Sequence, residues 1–184
     1  MTGWELPVQT VIGGNLYHLH TDYRDILEIF FRLQDERLPE FIRWRVALAL
    51  FYEEPVPEQD FGEAAQYFCR FVNCGQEEPA TPGPRLIDWE ADAQVIVSDV
   101  NKAAGQEIRE MPYLHWWTFL GWFHSIGEGG LSMLVSIRDK LNRGKKLEKW
   151  EQEYYKRNPK QVKMQKKYSA SELAEQERLQ KLLG

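Results

Sequence analysis

The four histidines of this 184-residue chain have side chains that could bind a metal ion or act as an acid or base. His18 and His20 alternate by two, so they share one face of a strand, but the sequence places no acidic or cysteine ligand beside them. His115 and His124 lie nine residues apart, which is about 180° around a helix and excludes a shared metal ion. We therefore interpret all four histidines as solvated strand or helix-edge residues.

The remaining reactive side chains also lack the spacing of a catalytic or metal site. Cys69 and Cys74 match no zinc pattern and are predicted to be reduced packing residues. The acidic pairs at 53–54 and 77–78 stand beside prolines, where we expect them to be solvated. The sequence contains no P-loop, H-E-x-x-H or nucleophile-elbow motif. We therefore predict no catalytic residue, no metal and no cofactor, and expect that the protein is not an enzyme.

The C-terminal segment is basic and could bind a polyanion. Residues 138–184 hold 14 Lys and Arg against 7 Asp and Glu, whereas residues 1–137 hold 9 against 21. Its cations between 156 and 167, with tyrosines nearby, fit phosphate neutralisation with aromatic stacking. The acidic body argues against strong nucleic-acid binding, because it repels phosphate. Contact within the chain, an acidic partner, and head-to-tail pairing in a homo-oligomer remain as alternatives.

The segment 113–124, YLHWWTFLGWFH, is the most aromatic part of the chain. Trp116, Phe119, Leu120 and Phe123 share one helical face by their spacing, and two further tryptophans fall outside that stripe. A helix that is apolar nearly all round is either central in a core or partly covered by a partner. Aromatic residues are enriched in interface cores. The residues predicted to bind a partner are Trp117, Trp122, Trp150, Tyr154 and Tyr155.

Two β-prone runs, 8–12 and 16–20, flank Gly13-Gly14-Asn15 and predict a hairpin. Thr21-Asp22 then predicts a helix cap. Helices are predicted from Pro39, over 58–73 with Gly75 as its cap, from Asp88, from Pro112, over 131–138, over 145–157 and over 169–183. The face of the second helix predicted to lie inward comprises Phe41, Ile42, Arg45, Val46, Ala49 and Leu50. Trp44, Leu48 and Phe51 fill positions further around it.

This order of elements predicts a mainly α protein: five to six helices, a short N-terminal β-hairpin and a charged helical C-terminal tail. We divide it into a helical domain at 1–144 and a basic, amphipathic tail at 145–184. The tail helices carry little apolar mass, so they should either dock on another surface or stay mobile. No run approaches the roughly 18 apolar residues of a membrane span. The N-terminus lacks the order of a secretory signal, and we expect a cytoplasmic protein.

Three sequence elements together resemble one family. They are Val11 to Arg24 with the pattern G-x-x-Y-x-x-x-T-D-Y-R, Leu114 to Phe119 with L-H-W-W-T-F, and Ser136-Ile137-Arg138. This combination resembles the "gene product fifteen" family of tailed phages and prophages, over about residues 8–150. Members of the family are small cytoplasmic proteins. Their genes usually lie between those of the major tail protein and the tape measure protein, where tail assembly chaperones are encoded.

The resemblance implies a physical rather than a catalytic function, and it carries over no catalytic residue. It implies a tail assembly chaperone that binds the tape measure protein, and in addition the tail tube protein, in the host cytoplasm. Such a chaperone would coat a long apolar helix through helix-in-groove contacts until tube subunits enclose it. The alternatives are a structural tail or head–tail component of the virion and a nucleic-acid-binding accessory protein.

Overall fold

The computed structural model describes residues 4–76 and 83–164, which belong to two compact units. Unit 1 (residues 4–76) contains β1 (Gln9–Ile12), β2 (Asn15–His18), α1 (Tyr23–Leu33), α2 (Glu40–Phe51) and α3 (Phe61–Val72). Unit 2 (residues 83–164) contains α4 (Ala93–Ala104), α5 (Trp116–His124), α6 (Gly130–Asn142), α7 (Lys149–Arg157) and α8 (Pro159–Val162). The predicted fold class, mainly α with an N-terminal hairpin, is confirmed.

The hairpin of unit 1 forms because its turn sequence supplies two left-handed residues. Gly13 and Gly14 have φ values of 55° and 81°, as a two-residue type I′ turn requires. The two strands pair antiparallel, with Ile12 opposite Asn15. Alternate side chains on the inner face, among them Ile12 and Tyr17, are buried. A side chain at Gly13 would also collide with the carboxylate of Asp60, so both the backbone conformation and the available space favour glycine here.

The three long helices of unit 1 enclose an aromatic core. Asp22 caps α1 by accepting a hydrogen bond from the Arg24 N–H, as predicted. Phe51, at the end of α2, is fully buried, and its ring lies 5.0 Å from the rings of both Phe68 and Phe71 on α3. The C-terminal glycine cap of α3 is also confirmed, because Gly75 has a φ of 77° and its N–H donates to the Arg70 carbonyl.

The predicted inward face of α2 is wrong. Ala47, Leu48 and Phe51 are the buried residues of this helix, whereas Phe41 is 56% exposed and Ala49 is exposed. The helix is apolar on most sides, so two different stripes fit the helical period equally well. Packing against α1 and α3 decides between them, and the sequence period alone does not.

Helix α4 begins five residues later than predicted, at Ala93 rather than Asp88. The Asp88 carboxylate accepts hydrogen bonds from the N–H groups of Glu90 and Ala91, which stabilises a turn. Short acidic side chains favour such local turns over helix. Trp89 therefore lies in this turn, outside α4. The predicted end near Gly105 is confirmed by its φ of 70° at the C-cap.

Residues 145–164, which we call the strap, pack along α6. Leu147 and Val162 form a buried cluster with Leu134 and Ile137 of α6. The described part of the basic segment therefore docks within unit 2. The predicted helix at 169–183 lies outside the described residues, as do residues 77–82 of the predicted loop. Among the residues that the structure describes, every helix is too short or too polar to span a bilayer.

Candidate partner-binding surfaces

The aromatic helix α5 is fixed at its start by His115. Its Nδ1 accepts a hydrogen bond of 3.0 Å from the Trp117 N–H, and the side chain is buried. An Nδ1 that accepts this bond carries no proton. His115 is thus a buried helix cap, and its interpretation as a helix-edge residue is wrong. Sequence reasoning missed it because histidine is not among the preferred capping residues.

The inner face of α5 is the stripe predicted from spacing. Trp116, Phe119 and Leu120 are buried, and Phe123 is half-buried. Trp89, from the turn before α4, packs across this stripe, with ring centroids 6.0 Å from Trp116 and 5.0 Å from Phe123. This stack fixes the rotation of α5 and therefore decides which residues face outward.

The outer face of α5, as we call it, comprises Trp117, Thr118, Gly121, Trp122 and Ser125. At about 100° per residue, the two indoles bound an arc of about 140°, and Gly121 and Ser125 lie between them. Gly121 and Ser125 are exposed, and both indoles are half-buried. A Cβ atom at Gly121 would meet nothing within 4 Å beyond its own helix. The absence of a side chain at Gly121 therefore leaves a depression on this face, between the two indoles.

The other three predicted partner-binding residues lie on α7. Trp150 is 50% exposed, and its Nε1–H donates to Glu148 at 3.0 Å. Tyr154 and Tyr155 are half-buried and pack against the buried cluster of α6 and the strap. The Tyr154 hydroxyl also hydrogen-bonds with Gln161 at 2.9 Å. The five predicted residues therefore lie on two helices, and of the three on α7 Trp150 is the one with half its surface in solvent.

A partly buried ion pair holds α7 against α6. Lys140 Nζ lies 2.6 Å from Glu151 Oε1, and the Glu151 side chain is 1% exposed. Burial alone would raise the pKa of Glu151, but Lys140 and the Glu148 N–H outweigh it, and the net shift is downward. The cations left on the surface of the strap are Lys145, Lys146, Lys149, Lys156, Arg157, Lys160 and Lys163.

Arg138 is the central polar residue of unit 2. Its guanidinium binds both carboxylate oxygens of Asp92 and donates to the carbonyls of Leu86, Gln161 and Val162. These bonds use all five N–H groups that arginine carries. One side chain thus joins α6, the start of α4, the segment before it and the strap. A sequence signal did exist, because Arg138 follows Leu134 by four residues on an otherwise apolar stripe.

A comparison with models of known protein families identifies the family of this chain. Residues 5–170 match the model of a family described as "Bacteriophage Gp15 protein". The chain belongs to this family. It is therefore a phage-related protein. Searches of curated proteins and of solved structures found no match.

Several of the residues that carried the resemblance are structural in this Gp15 family member. Asp22 caps α1 and binds Arg24 through both carboxylate oxygens, at 2.7 and 2.8 Å. His115 caps α5, and Trp116 is buried in its aromatic stack. Arg138 anchors unit 2. These residues therefore hold helices in place, whereas Trp117 of the same motif lies on the outer face of α5.

One polar cluster in this Gp15 family member has metal-ligand composition. Ligand atoms of His18, Glu53 and Glu54 lie within 4.8 Å of one another, and His18 Nδ1 is 2.7 Å from Glu54 Oε1. The Glu54 hydrogen bond and charge raise the pKa of His18, and the same bond lowers that of Glu54. The sequence placed no acidic partner here because these carboxylates are 35 or more positions away. The pair joins β2 to the end of α2.

Proposed function

We propose that this protein is a phage tail assembly chaperone that binds the tape measure protein in the host cytoplasm. The observation that carries the proposal is membership of the Gp15 family over residues 5–170. The role expected from the sequence resemblance requires a surface that accepts an apolar helix. We propose a non-catalytic role, without metal or cofactor, and the tail tube protein as a second partner.

The outer face of α5 supports the binding of a helix. Apolar helices dock by placing side chains at i, i+3, i+4 and i+7 into a groove with apolar walls. On this face Trp117 and Trp122 supply the walls, and Gly121 leaves space between them. Half-buried indoles have fixed positions and lose little conformational entropy on binding, which favours their use as contact residues.

Trp150 supports a second contact on α7. Its indole is half exposed, next to the cationic residues of the strap. A partner helix with one apolar side and acidic flanks would be matched by such a surface, since the flanking lysines would pair with its carboxylates. The half-buried Tyr154 and Tyr155 hold α7 in place and add to its apolar edge.

The proposal is tested by co-expression with the tape measure protein encoded by the same phage, followed by affinity purification and gel filtration. A soluble complex, with the tape measure protein insoluble when made alone, is the expected result. Failure to co-purify, together with incorporation of this protein into mature particles, would instead indicate a structural tail component.

Gly121→Gln tests whether the outer face of α5 is the contact. The added side chain would fill the depression and is expected to weaken the complex by at least tenfold. Gly62→Gln is the matched control, because Gly62 is also an exposed helical glycine with no atom within 4 Å of its Cβ position. Trp122→Ala tests one wall of this face, and Trp150→Ala tests the second contact on α7. Unchanged binding by the three folded variants at Gly121, Trp122 and Trp150 would show that these faces are not the interface.

A further inference from the structure

The outer edge of β1 carries backbone groups that no other described strand uses. Within the described residues the sheet has two strands, so β1 has β2 as its one strand neighbour. His18 stands opposite Gln9, and its own N–H and carbonyl bind Glu54 and the Glu53 N–H, on the side away from β1. In an antiparallel ladder, when the backbone N–H and carbonyl of one residue point away from the partner strand, those of the residue opposite also point away. The N–H and carbonyl of Gln9 and, two residues on, of Val11 therefore point to the outer edge of β1.

The two edges of the hairpin differ. The edge of β2 is covered, because His20 N–H donates to the Phe51 carbonyl and Leu19 forms a bridge with Tyr52. The edge of β1 is short, and residues 9–12 (Gln-Thr-Val-Ile) include no charged residue, no proline and no bulge that would oppose pairing with another strand. The side chains beside this edge are apolar and open to solvent: Val8, Val11 and Leu16 are 51%, 58% and 53% exposed.

We propose that two copies of this chain pair through their β1 edges to form a continuous antiparallel sheet. The edge suits a second copy because it offers donors and acceptors in equal number, and a two-fold axis brings each against its complement. Pro7 has no N–H to extend the ladder and Gly13 begins the turn. The symmetric register that uses all the available groups centres on Thr10. It places Gln9 of one copy opposite Val11 of the other and forms four backbone hydrogen bonds.

This register also covers apolar surface. Val8 of one copy comes opposite Ile12 of the other, on the inner face of the sheet. Val11 from the two copies lie diagonally across the axis on the outer face, each next to its own Leu16. A four-residue edge falls short of the roughly 1,200 Å² buried in stable interfaces, so the dimer is reversible and depends on concentration. The pairing does not depend on the proposed role of α5.

Sedimentation velocity of the full-length chain over a concentration series tests the pairing. The wild type is expected to shift from monomer to dimer as concentration rises, and Val11→Pro to remain monomeric. Proline is tolerated at Val11 within the hairpin because that N–H faces the open edge. Phe41→Ser is the control, since Phe41 is the comparably exposed apolar residue of α2. A monomer at all concentrations, or a dimer lost with Phe41→Ser and kept with Val11→Pro, overturns the proposal.

Disulfide trapping tests the register and stays informative if Val11→Pro does not fold. In a Cys69→Ser/Cys74→Ser background, Thr10→Cys should give a covalent dimer on mild oxidation, because facing residues of such a pair have Cα atoms about 4.5 Å apart. Val8→Cys should not, since the two Val8 positions would be offset by four residues, or about 13 Å. Equal trapping at both positions, or none at Thr10, shows that the β1 edges of two copies do not pair in this register.

Discussion

Replacing Arg138 by methionine is expected to cost about 3–5 kcal/mol of the stability of unit 2. The Asp92 side chain is fully buried, and after the change it keeps the hydrogen bond that it accepts from the Asp88 N–H at 2.9 Å. Removal of one partner from a buried pair typically costs this amount, because the other charge remains desolvated. The carbonyls of Gln161 and Val162 lose their donors as well, so the end of the strap should loosen.

Urea denaturation followed by tryptophan fluorescence measures the loss, because five of the seven tryptophans lie in unit 2. Hydrogen exchange of the amides of residues 145–164 locates it. Arg143→Met is the control on the same helix, since Arg143 forms an exposed pair with Asp139 and should change stability by less than about 0.5 kcal/mol. In Arg138→Met/Asp92→Leu, where neither charge remains, we expect part of the loss to be recovered.

Equal destabilisation of the protein by Arg138→Met and Arg143→Met would contradict this prediction. The prediction is also contradicted if Arg138→Met/Asp92→Leu is less stable than Arg138→Met by the full cost of a second core substitution. The first result would mean that packing replaces the guanidinium, and the second that an uncompensated Asp92 charge is not the source of the cost. If hydrogen exchange of the strap amides is unchanged in Arg138→Met, then Arg138 does not anchor the end of the strap.

Three further predictions concern other contacts. His18→Gln should lower the melting temperature most between pH 4.5 and 6.5 and least above pH 8, because the raised pKa of His18 stabilises only the protonated ring and the lowered pKa of Glu54 only the ionised carboxylate. Gly129→Ala should cost about 1–3 kcal/mol in denaturant unfolding, because its Cβ would lie 2.6 Å from the Asp99 carboxylate that accepts from the first turn of α6. Leu147→Ala should cost about 2 kcal/mol in the same assay and increase protease cleavage of the strap.

Each of these predictions has its own check. For the His18–Glu54 pair, an effect of His18→Gln on the melting temperature that is constant from pH 4.5 to 9 would exclude a charged contact. Gly127→Ala is the control for Gly129→Ala, because a Cβ at Gly127 meets nothing within 4 Å. For the strap, Lys146→Ala alters the exposed residue next to Leu147 and should leave cleavage unchanged. Equal cleavage of the two variants would show that Leu147 does not hold the strap.

Where the sequence pattern is compatible with one structure, the predicted element is confirmed. Gly13-Gly14 between β-prone runs specified the hairpin, and Asp22 specified the start of α1. The stripe of α5 was predicted from Trp116 and Phe119, because a period of 3.6 aligns the largest side chains. In these cases local chemistry and packing favour the same structure.

Where local and long-range interactions compete, the sequence was insufficient. Helix α2 offers two apolar stripes, and only its neighbours select the one that contains Phe51. The Asp92–Arg138 pair and the His18–Glu54 pair join residues 46 and 36 positions apart. No periodicity links such residues. The candidate surface on α5 was predicted in part: Trp117 and Trp122 follow from the stripe, whereas the space at Gly121 depends on what surrounds the helix.

The bonds of Arg138 bring the two chain ends of unit 2 together. The Leu86 and Val162 carbonyls, near the first and last residues of the unit, both accept from one guanidinium. A linker of a few residues is long enough to join such ends. Unit 2 is therefore suited to circular permutation, with new termini in the exposed turn at Gly127. By the same geometry it can be inserted into a surface loop of another protein and carry the α5 surface with it.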